Sequence, residues 1–391
     1  MVNSSPASDV VVIGAGITGA SAALELAERG ARVTLVDGFG PAAMASGWTL
    51  AGVRQSGRHP SELPLALRAV ELWPDLAEKL GHETGYRQKG NLRLARTSDE
   101  VPVIRELVAD QSAAGLPITF LSDLQAVREI APALSDRVLA ASFCATDGHA
   151  DPDLTVKAYV KKAESLGVET LFGEKVTGLE VSGGRVVAVA TSSRRIGCGA
   201  VLLATGILAN ELLSPLEAEI PLRRPIVTVL RSVVCAPMLE PVLGVANADM
   251  AARQELGGRM RVTSGAQFGD WSLANRHGWP VIRPGMNAIQ ETIETVRTVL
   301  PAFGSLELES VWAGALDLTP DALPVIDRVP AVDNLTVAAG FSGHGFGIGP
   351  VTGPLAASIA LGAEVEMDVS AFRFSRFSDI PQAEASLTLH G

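Results

Sequence analysis

Cysteine is scarce in this chain, and its spacing excludes several kinds of site. The chain has 391 residues but three cysteines, and no two of them form a C-x-x-C pair. Cys144, Cys198 and Cys235 therefore offer neither a disulfide framework nor the ligand spacing of a zinc or iron–sulfur centre. We interpret them as small buried apolar side chains and predict no metal site.

The chain also has fewer basic than acidic residues and few long apolar runs. Lysine and arginine total 32 against 43 acidic residues, a net charge of −11, so we expect no nucleic-acid partner. Charges or glycines interrupt every apolar run of about 20 residues, so we expect no membrane span. The opening residues MVNSSPASD lack the basic and apolar regions of a signal peptide, which predicts a cytoplasmic protein.

Apolar residues and glycine are abundant. Hydrophobic residues make up 47% of the chain and charged residues 19%, a composition typical of a globular protein with a large core. A chain of this length usually forms two domains.

Residues 10–37 carry the strongest local pattern. A β-branched run at 10–13 predicts a buried strand, residues 21–29 have helical periodicity, and 33–36 predict a second strand. Between the first strand and the helix, Gly14, Gly16 and Gly19 form a G-x-G-x-x-G turn. Such a turn lets pyrophosphate approach a helix N-terminus, and Asp37 can accept a hydrogen bond from a ribose hydroxyl. This unit predicts a dinucleotide site and leaves FAD and NAD both open.

Two further glycine-rich segments need the same ligand. Residues 38–60 form a long loop directly after the second strand, and residues 340–350 follow a predicted strand at 335–339 and precede a helix predicted from about residue 351. One Rossmann unit that binds NAD needs only the first turn, whereas a longer dinucleotide would use all three. The three segments together favour FAD.

The remaining pattern predicts an α/β protein with a discontinuous Rossmann-type FAD-binding domain and an inserted, mostly antiparallel α+β substrate domain. We assign residues 1–85, 149–220 and 325–375 to the FAD-binding domain, 86–148 and 221–324 to the substrate domain, and 376–391 to a C-terminal tail. Helices are predicted at 62–80, 101–114, 123–130, 154–166 and 287–300, and strands at 91–95, 168–171, 176–181, 185–191, 201–204, 226–234, 259–262 and 307–312.

Several motifs resemble one family. They are GAGITGASAALELAERGARVTLVD at 14–37, ASGWTLAGVRQSGRHP at 45–60, ATG at 204–206, WAGALDLTPDALPVID at 312–327 and GFSGHGFGIGPVTG at 340–353. Together they resemble the D-amino-acid oxidase and sarcosine oxidase superfamily of FAD-dependent amine oxidoreductases. Within it, the second and fourth motifs are most similar to the β subunits of heteromeric sarcosine oxidase, opine oxidase and D-hydroxyproline dehydrogenase.

The resemblance implies a chemistry and a set of site residues. A carboxylated secondary amine or amino acid (an opine, a sarcosine-like compound, a D-amino or imino acid) would give a hydride to flavin N5, and the imine would then hydrolyse. Arg54 is the candidate residue that binds the substrate carboxylate; the alternative is that Arg54 has only a structural role. Arg58 is interpreted as a solvated charge on the loop. His344 is the second catalytic candidate, because it could contact the substrate or stabilise the reduced flavin. The alternative is that His344 has only a structural role in the turn. The implied FAD-binding residues are Gly14, Ala15, Gly16, Ile17, Thr18, Gly19, Asp37, Gly38, Ala45, Ser46, Gly47, Trp48, Thr49, Ala51, Gly52, Val53, Val176, Thr205, Gly206, Gly343, His344, Gly345, Phe346, Gly347 and Ile348.

The chain also departs from the family pattern. Leu316 stands where many relatives have an arginine, and Gly347 where sarcosine oxidases often have a lysine, so a bulkier substrate such as an opine is favoured. The cysteine and histidine that carry covalent flavin in relatives fall near Gly314 and Pro152, which implies non-covalent FAD. A partner subunit is expected to carry or share FMN or an iron–sulfur cluster. The alternatives are a stand-alone D-amino acid or glycine-type oxidase that makes hydrogen peroxide, and a non-catalytic flavoprotein assembly subunit.

Overall fold

The computed structural model describes residues 8–330 and 332–378. The α-helices in this part of the chain are α1 (Ile17–Glu28), α2 (Ala45–Trp48), α3 (Leu63–Leu72), α4 (Leu76–Leu80), α5 (Glu100–Ala113), α6 (Leu124–Ile130), α7 (Pro152–Ser165), α8 (Ala209–Leu213), α9 (Met286–Val299) and α10 (Gly345–Leu361). The strands are β1 (Ser8–Ile13), β2 (Val33–Asp37), β3 (Gly52–Val53), β4 (Asn91–Ala95), β5 (Ile118–Leu121), β6 (Ala140–Cys144), β7 (Gly148–His149), β8 (Glu169–Phe172), β9 (Val176–Ser182), β10 (Arg185–Thr191), β11 (Arg195–Leu203), β12 (Ile226–Val234), β13 (Val242–Val245), β14 (Met250–Gln254), β15 (Arg259–Ser264), β16 (Ala274–Arg276), β17 (Trp279–Val281), β18 (Leu308–Ala315), β19 (Val325–Arg328) and β20 (Leu335–Ala339).

The first sheet has a parallel centre. Its main path runs β19-β20-β11-β1-β2-β8; β10 pairs antiparallel with β11, and β9 pairs antiparallel with β10. β1 pairs in parallel with both β2 and β11, and β11 pairs in parallel with β20. Because helices and loops cover both faces, these central strands are continuous apolar runs, as the sequence pattern of β1 and β2 indicates. The predicted Rossmann-type α/β fold is confirmed.

Two glycine-containing helices pack closely against one face of this sheet. A Cβ added at Gly353 of α10 would lie 2.6 Å from Ser21 Cβ of α1, so the two helices approach more closely than side chains would allow. The start of α10 lies equally close to β3, because a Cβ at Gly347 would lie 2.8 Å from the Gly52 carbonyl oxygen. The Trp73 indole donates a hydrogen bond to the Gly347 carbonyl (2.7 Å) and fixes this end of the helix.

The second sheet is mostly antiparallel, with the order β18-β12-β15-β14-β13-β4-β6-β5. Its one parallel pair in the described ranges joins β13 to β4 and so connects two distant stretches of the chain. One face buries an apolar cluster under α9, and alternate residues on the other face point towards the first sheet. The expected mostly antiparallel α+β part is therefore present, while the domain boundaries given above stay a prediction.

Several predicted element bounds are wrong. The helix predicted at 62–80 is two α-helices joined by a 3-10 turn at Trp73–Asp75, because Pro74 interrupts the α-helical hydrogen bonds. α10 begins at Gly345, six residues before its predicted start. The loop at 38–60 contains α2 and β3, and the sequence pattern missed β5, β6, β13, β14 and β19. Most of the predicted tail, residues 379–391, lies outside the described residues.

Candidate active site

A long cavity lies between the two sheets. The glycine turn before α1, helix α2 and the turn before α10 form one wall. Strands β4, β13, β14 and β15 of the second sheet supply the opposite wall through Asn91, Arg93, Val242, Met250 and Thr263. Both predicted glycine-rich turns thus face a single cavity.

The first turn has the shape that a phosphate group requires. A Cβ at Gly14 would collide with the Ala204 carbonyl, and a Cβ at Gly19 would collide with the Gly14 carbonyl, so strand, turn and helix pack backbone to backbone. α1 has no side-chain N-cap and no acidic residue in its first turn. The Ile17 N–H donates to Ser46 Oγ (3.0 Å), which ties α2 to the start of α1. The positive end of α1 therefore faces the cavity at Gly16, Ile17 and Thr18.

Asp37 organises this turn from the end of β2. One of its carboxylate oxygens accepts the Ala15 N–H (2.8 Å), and the other accepts those of Phe39 (2.7 Å) and Gly40 (2.9 Å). A carboxylate has about four acceptor positions, so it can still accept a ribose hydroxyl. The ribose contact stays a prediction.

The second turn leads into α10 and is held by a buried acid from another segment, which the sequence reasoning missed. Asp317 follows β18 and accepts the Gly340 N–H (2.8 Å), where the backbone has φ +73°. Burial raises the pKa of Asp317 to about 6, although backbone N–H groups of the turn partly oppose the shift. The sequence signal for this residue is that Asp317 is the one acidic residue in the apolar run 312–318. Asp317 holds the turn that presents Gly343, His344 and Gly345 to the cavity.

Three arginines converge at the cavity, Arg93 from strand β4 and the other two from the loop between β3 and α3. Arg54, Arg58 and Arg93 all line the cavity, and Arg54 Nη1 donates to the Ser56 carbonyl (2.9 Å). Burial, together with the charges of Arg58 and Arg93, lowers the pKa of Arg54 well below its usual value. Burial lowers the pKa of Arg93 to about 10, with Arg58 contributing in the same direction. The site therefore concentrates positive charge in a buried place, where it binds anions strongly.

Arg58 is not the solvated loop charge that the sequence suggested. Its side chain is 2% exposed and lies 3.7 Å from Glu62, Nη1 to Oε1. The i,i+4 spacing of Arg58 and Glu62 was the signal for this pairing. Arg93 was missed as well, although a charged residue inside the buried strand NLRLA marks it. Its guanidinium lies over Gly57, which has φ +66° and no room for a Cβ.

Two buried acids stand beside these cations. Asp147 accepts hydrogen bonds from the Gln55 N–H (2.9 Å) and from the Ser56 hydroxyl, which shapes the loop that carries Arg54. Glu62 lies 3.0 Å from His344, Oε2 to Nδ1. His344 is buried and lines the cavity, and burial and then Arg58 lower its pKa. The histidine is therefore neutral near pH 7.

The structure brings most of the predicted site residues to the cavity wall. Those that line it are Gly16, Ile17, Thr18, Ala45, Ser46, Trp48, Thr49, Gly52, Arg54, Gly206, Gly343, His344, Gly345 and Phe346. The others lie behind the wall or farther along the sheet and are Gly14, Ala15, Gly19, Asp37, Gly38, Gly47, Ala51, Val53, Val176, Thr205, Gly347 and Ile348. Their individual contacts with a cofactor stay predictions.

Within residues 8–330 and 332–378, no group of three or more histidines, cysteines or acids could hold a metal ion. None of the helices in the same ranges has the length and apolar character needed to cross a bilayer. The three cysteines are free.

Fold and cavity together define a protein that binds a dinucleotide beside a buried cationic pocket. Residues 9–359 match the family described as FAD dependent oxidoreductase, or DAO. Glycine oxidase from Bacillus subtilis (strain 168) is 26% identical over 382 residues, which are 94% of this chain and 97% of that protein. Sarcosine oxidase subunit beta from Arthrobacter sp. is 26% identical over 352 residues, covering 86% of this chain and 83% of the relative. The crystal structure of L-proline dehydrogenase from P. horikoshii is 27% identical with a TM-score of 0.87, and the match covers 95% of this chain and 98% of that one.

The chain belongs to the DAO family of FAD-dependent oxidoreductases. It is an enzyme that uses FAD to oxidise a small-molecule amine or amino acid. The cavity fits this cofactor on its own features, since the N-termini of α1 and α10 face it and neither helix has an acidic residue in its first turn. Among the described residues, the buried Thr205 hydroxyl next to the cavity-lining Gly206 lacks a protein partner and offers a hydrogen bond to a ligand.

Proposed function

We propose that the chain oxidises a carboxylated secondary amine to the corresponding imine, which then hydrolyses in water. FAD supplies the hydride acceptor, at its N5. The protein binds the substrate carboxylate, orients the carbon next to nitrogen and excludes bulk water from the cavity.

The observation that carries this proposal is the arginine group of Arg54 and Arg93 at the cavity wall. Guanidinium groups bind carboxylates through paired, charge-assisted hydrogen bonds. Both arginines line the cavity, so a carboxylate held between them would place the rest of a small substrate within it. Sarcosine and proline, the substrates in two relatives' names, are both carboxylated secondary amines, which supports the same class here.

A substrate with an apolar or extended substituent fits the remaining wall. Leu50, Val242, Leu243, Met250 and Leu316 present apolar side chains to the cavity. Leu316 stands where many relatives have an arginine, so we assign carboxylate binding to Arg54 and Arg93 instead. An opine, whose nitrogen carries a second, longer arm, is our preferred substrate within the class, with the alkyl part of that arm along these apolar side chains.

We further propose that the chain is the catalytic β subunit of a heteromeric complex and holds FAD without a covalent bond. The similarity to a protein named as a subunit supports this proposal. The partner would carry FMN or an iron–sulfur cluster, since the described residues offer no cluster of metal ligands. The cytoplasmic location stays a prediction.

Anaerobic titration of the FAD-loaded protein tests the proposed chemistry. We expect an opine, sarcosine or proline to bleach the visible flavin absorbance, and the matching amines without a carboxylate to leave it unchanged. Loss of a charged partner costs about 2 to 5 kcal/mol, so Arg54→Gln should raise the substrate dissociation constant at least about 30-fold. Arg259→Gln is the matched control, because Arg259 forms an ion pair with Glu309 away from the cavity. Equal bleaching by amines without a carboxylate would refute the clamp.

A stand-alone oxidase is the second candidate, and the similarity to glycine oxidase favours it. Such an enzyme passes electrons to oxygen and forms hydrogen peroxide. Native mass spectrometry of the protein from its source cell, together with peroxide measured during turnover, separates the two. A single chain type with stoichiometric peroxide would exclude the heteromer.

A further inference from the structure

A buried carboxylate makes contact with the cavity histidine. Glu62 is the residue before α3, its side chain does not cap that helix, and it is fully buried. Its Oε2 lies 3.0 Å from His344 Nδ1 at the start of α10, and its Oε1 lies 3.7 Å from Arg58 Nη1. Residues 282 positions apart in the sequence thus form one buried acid–histidine pair at the cavity.

Charged groups around this pair come from the loop before α3. The charges of Arg58 and Arg54 on this loop lower the pKa of His344, and Glu62 opposes them. Burial alone would raise the pKa of Glu62, but the interaction with His344 and the charges of Arg58 and Arg54 outweigh it and hold the value at about 2. Near neutral pH, Glu62 is therefore ionised and can only accept a hydrogen bond.

An ionised acceptor decides which nitrogen of a neutral histidine carries the proton. Because Oε2 accepts, Nδ1 of His344 must donate, and the proton of the neutral ring is on Nδ1. Nε2 is then the acceptor of a ring that lines the substrate cavity. A histidine without this contact is free to adopt either tautomer.

We propose that Glu62 is a positioning residue that fixes His344 as the Nδ1–H tautomer, so that Nε2 accepts the proton of the bound substrate's ammonium group. The proposal rests on the proposed function. The substrate N–H bond breaks, its electron pair stays on nitrogen as a lone pair, and a new N–H bond forms at Nε2. The resulting imidazolium keeps its Nδ1–H on the Glu62 carboxylate, which stabilises the positive charge. A substrate nitrogen with a free lone pair can then stabilise the positive charge that hydride loss leaves on carbon.

Nitrogen NMR of FAD-loaded protein labelled in its six histidines tests the tautomer directly. His344→Gln identifies the signal by its loss. We expect wild-type His344 to be the neutral Nδ1–H form at pH 7, and Glu62→Gln to give a mixture or the Nε2–H form. The control is Glu71→Gln on α3, whose exposed carboxylate pairs with Arg68 and should leave the signal unchanged. An Nε2–H tautomer in the wild type overturns the proposal without any variant having to fold.

Anaerobic rapid mixing supplies the second readout. Glu62→Gln should slow flavin reduction about 100-fold, and the pH at which reduction becomes fast should shift, while the substrate dissociation constant changes little. Glu62→Asp keeps the charge and should restore part of the rate. A Glu62→Gln protein with lower melting temperature but the wild-type tautomer and pH profile would show a merely structural residue and overturn the proposal. If no carboxylated amine reduces the wild type, the proposed function fails, whereas the tautomer still decides whether Glu62 controls His344.

Discussion

The close approach of α10 to α1 predicts a measurable effect of one added methyl group. In Gly353→Ala the new Cβ would lie 2.6 Å from Ser21 Cβ and Oγ and 2.7 Å from the Ala22 backbone nitrogen. Carbon atoms in contact are normally separated by about 3.5 to 4.0 Å, so the overlap is about 1 Å. Rotation of Ser21 cannot relieve it fully, because Ala22 contributes backbone. The helices must therefore move apart.

The expected magnitude follows from two opposing effects. Overpacking costs about 1 to 3 kcal/mol, and backbone contact places this site near the upper end. Alanine in a helix regains about 1 kcal/mol over glycine, which leaves a net destabilisation of about 2 kcal/mol. We expect a fall in melting temperature of about 2 °C for a chain of this length. Because the N-termini of α1 and α10 both face the cavity, FAD should also dissociate more readily.

Thermal unfolding of the FAD-loaded and FAD-free proteins, together with an FAD titration, measures both effects. Gly178→Ala is the control, since nothing lies within 4 Å of a Cβ there and the residue is in strand β9. We expect this control to behave as wild type. If Gly353→Ala matched the control in melting temperature and FAD affinity, the inferred backbone contact between the two helices would be refuted.

Two further predictions concern the cavity wall. Gly57→Ala should displace the Arg93 guanidinium and raise the dissociation constant of a carboxylated substrate about tenfold or more. Gly81→Ala is the control, because Gly81 has a similar φ of +68° but open space around it, and its dissociation constant should stay at the wild-type value. Equal substrate affinities in the two variants would contradict this prediction. The pKa of Asp317 is about 6 in the folded protein and about 3.9 in the unfolded chain. Because the folded state holds this proton more tightly, the wild type should lose stability relative to Asp317→Asn as pH rises from about 4 through 6. Melting temperatures of the two proteins across this pH range measure the effect. The exposed Asp270→Asn is the comparison, and parallel pH profiles for wild type and Asp317→Asn would argue against the shift.

The sequence predicted the dinucleotide-binding turn of the site, because local backbone geometry specifies it. Gly14 and Gly19 stand where only glycine fits between strand and helix, and this requirement leaves a pattern within about 20 residues. The start of α10 was placed too late for the opposite reason. Its first residues are rich in glycine and include Pro350, so intrinsic propensity indicates a loop. Packing against α1 and β3 overrides that propensity.

The cationic half of the site depends on contacts distant in sequence. Arg93 enters the cavity because its strand β4 pairs with β13, about 150 residues later, and no local pattern encodes that pairing. The contact between Glu62 and His344 likewise joins the two ends of the chain. The pairing of Arg58 with Glu62 could be predicted, because an i,i+4 spacing is local. Burial of Arg93 follows only from the assembled second sheet.

The order of strands in the first sheet has a consequence for how the protein is made. β1 is synthesised first, yet its neighbour β11 ends at Leu203 and the next strand, β20, begins at Leu335. A ribosome must therefore synthesise most of the chain before all strands of the central sheet can pair. Until then, apolar strands such as β1 and β2 lack part of their final neighbours and stay exposed. Folding should depend on chaperones that cover these strands during synthesis. Truncated chains that lack β20 and α10 should aggregate rather than form a smaller flavoprotein.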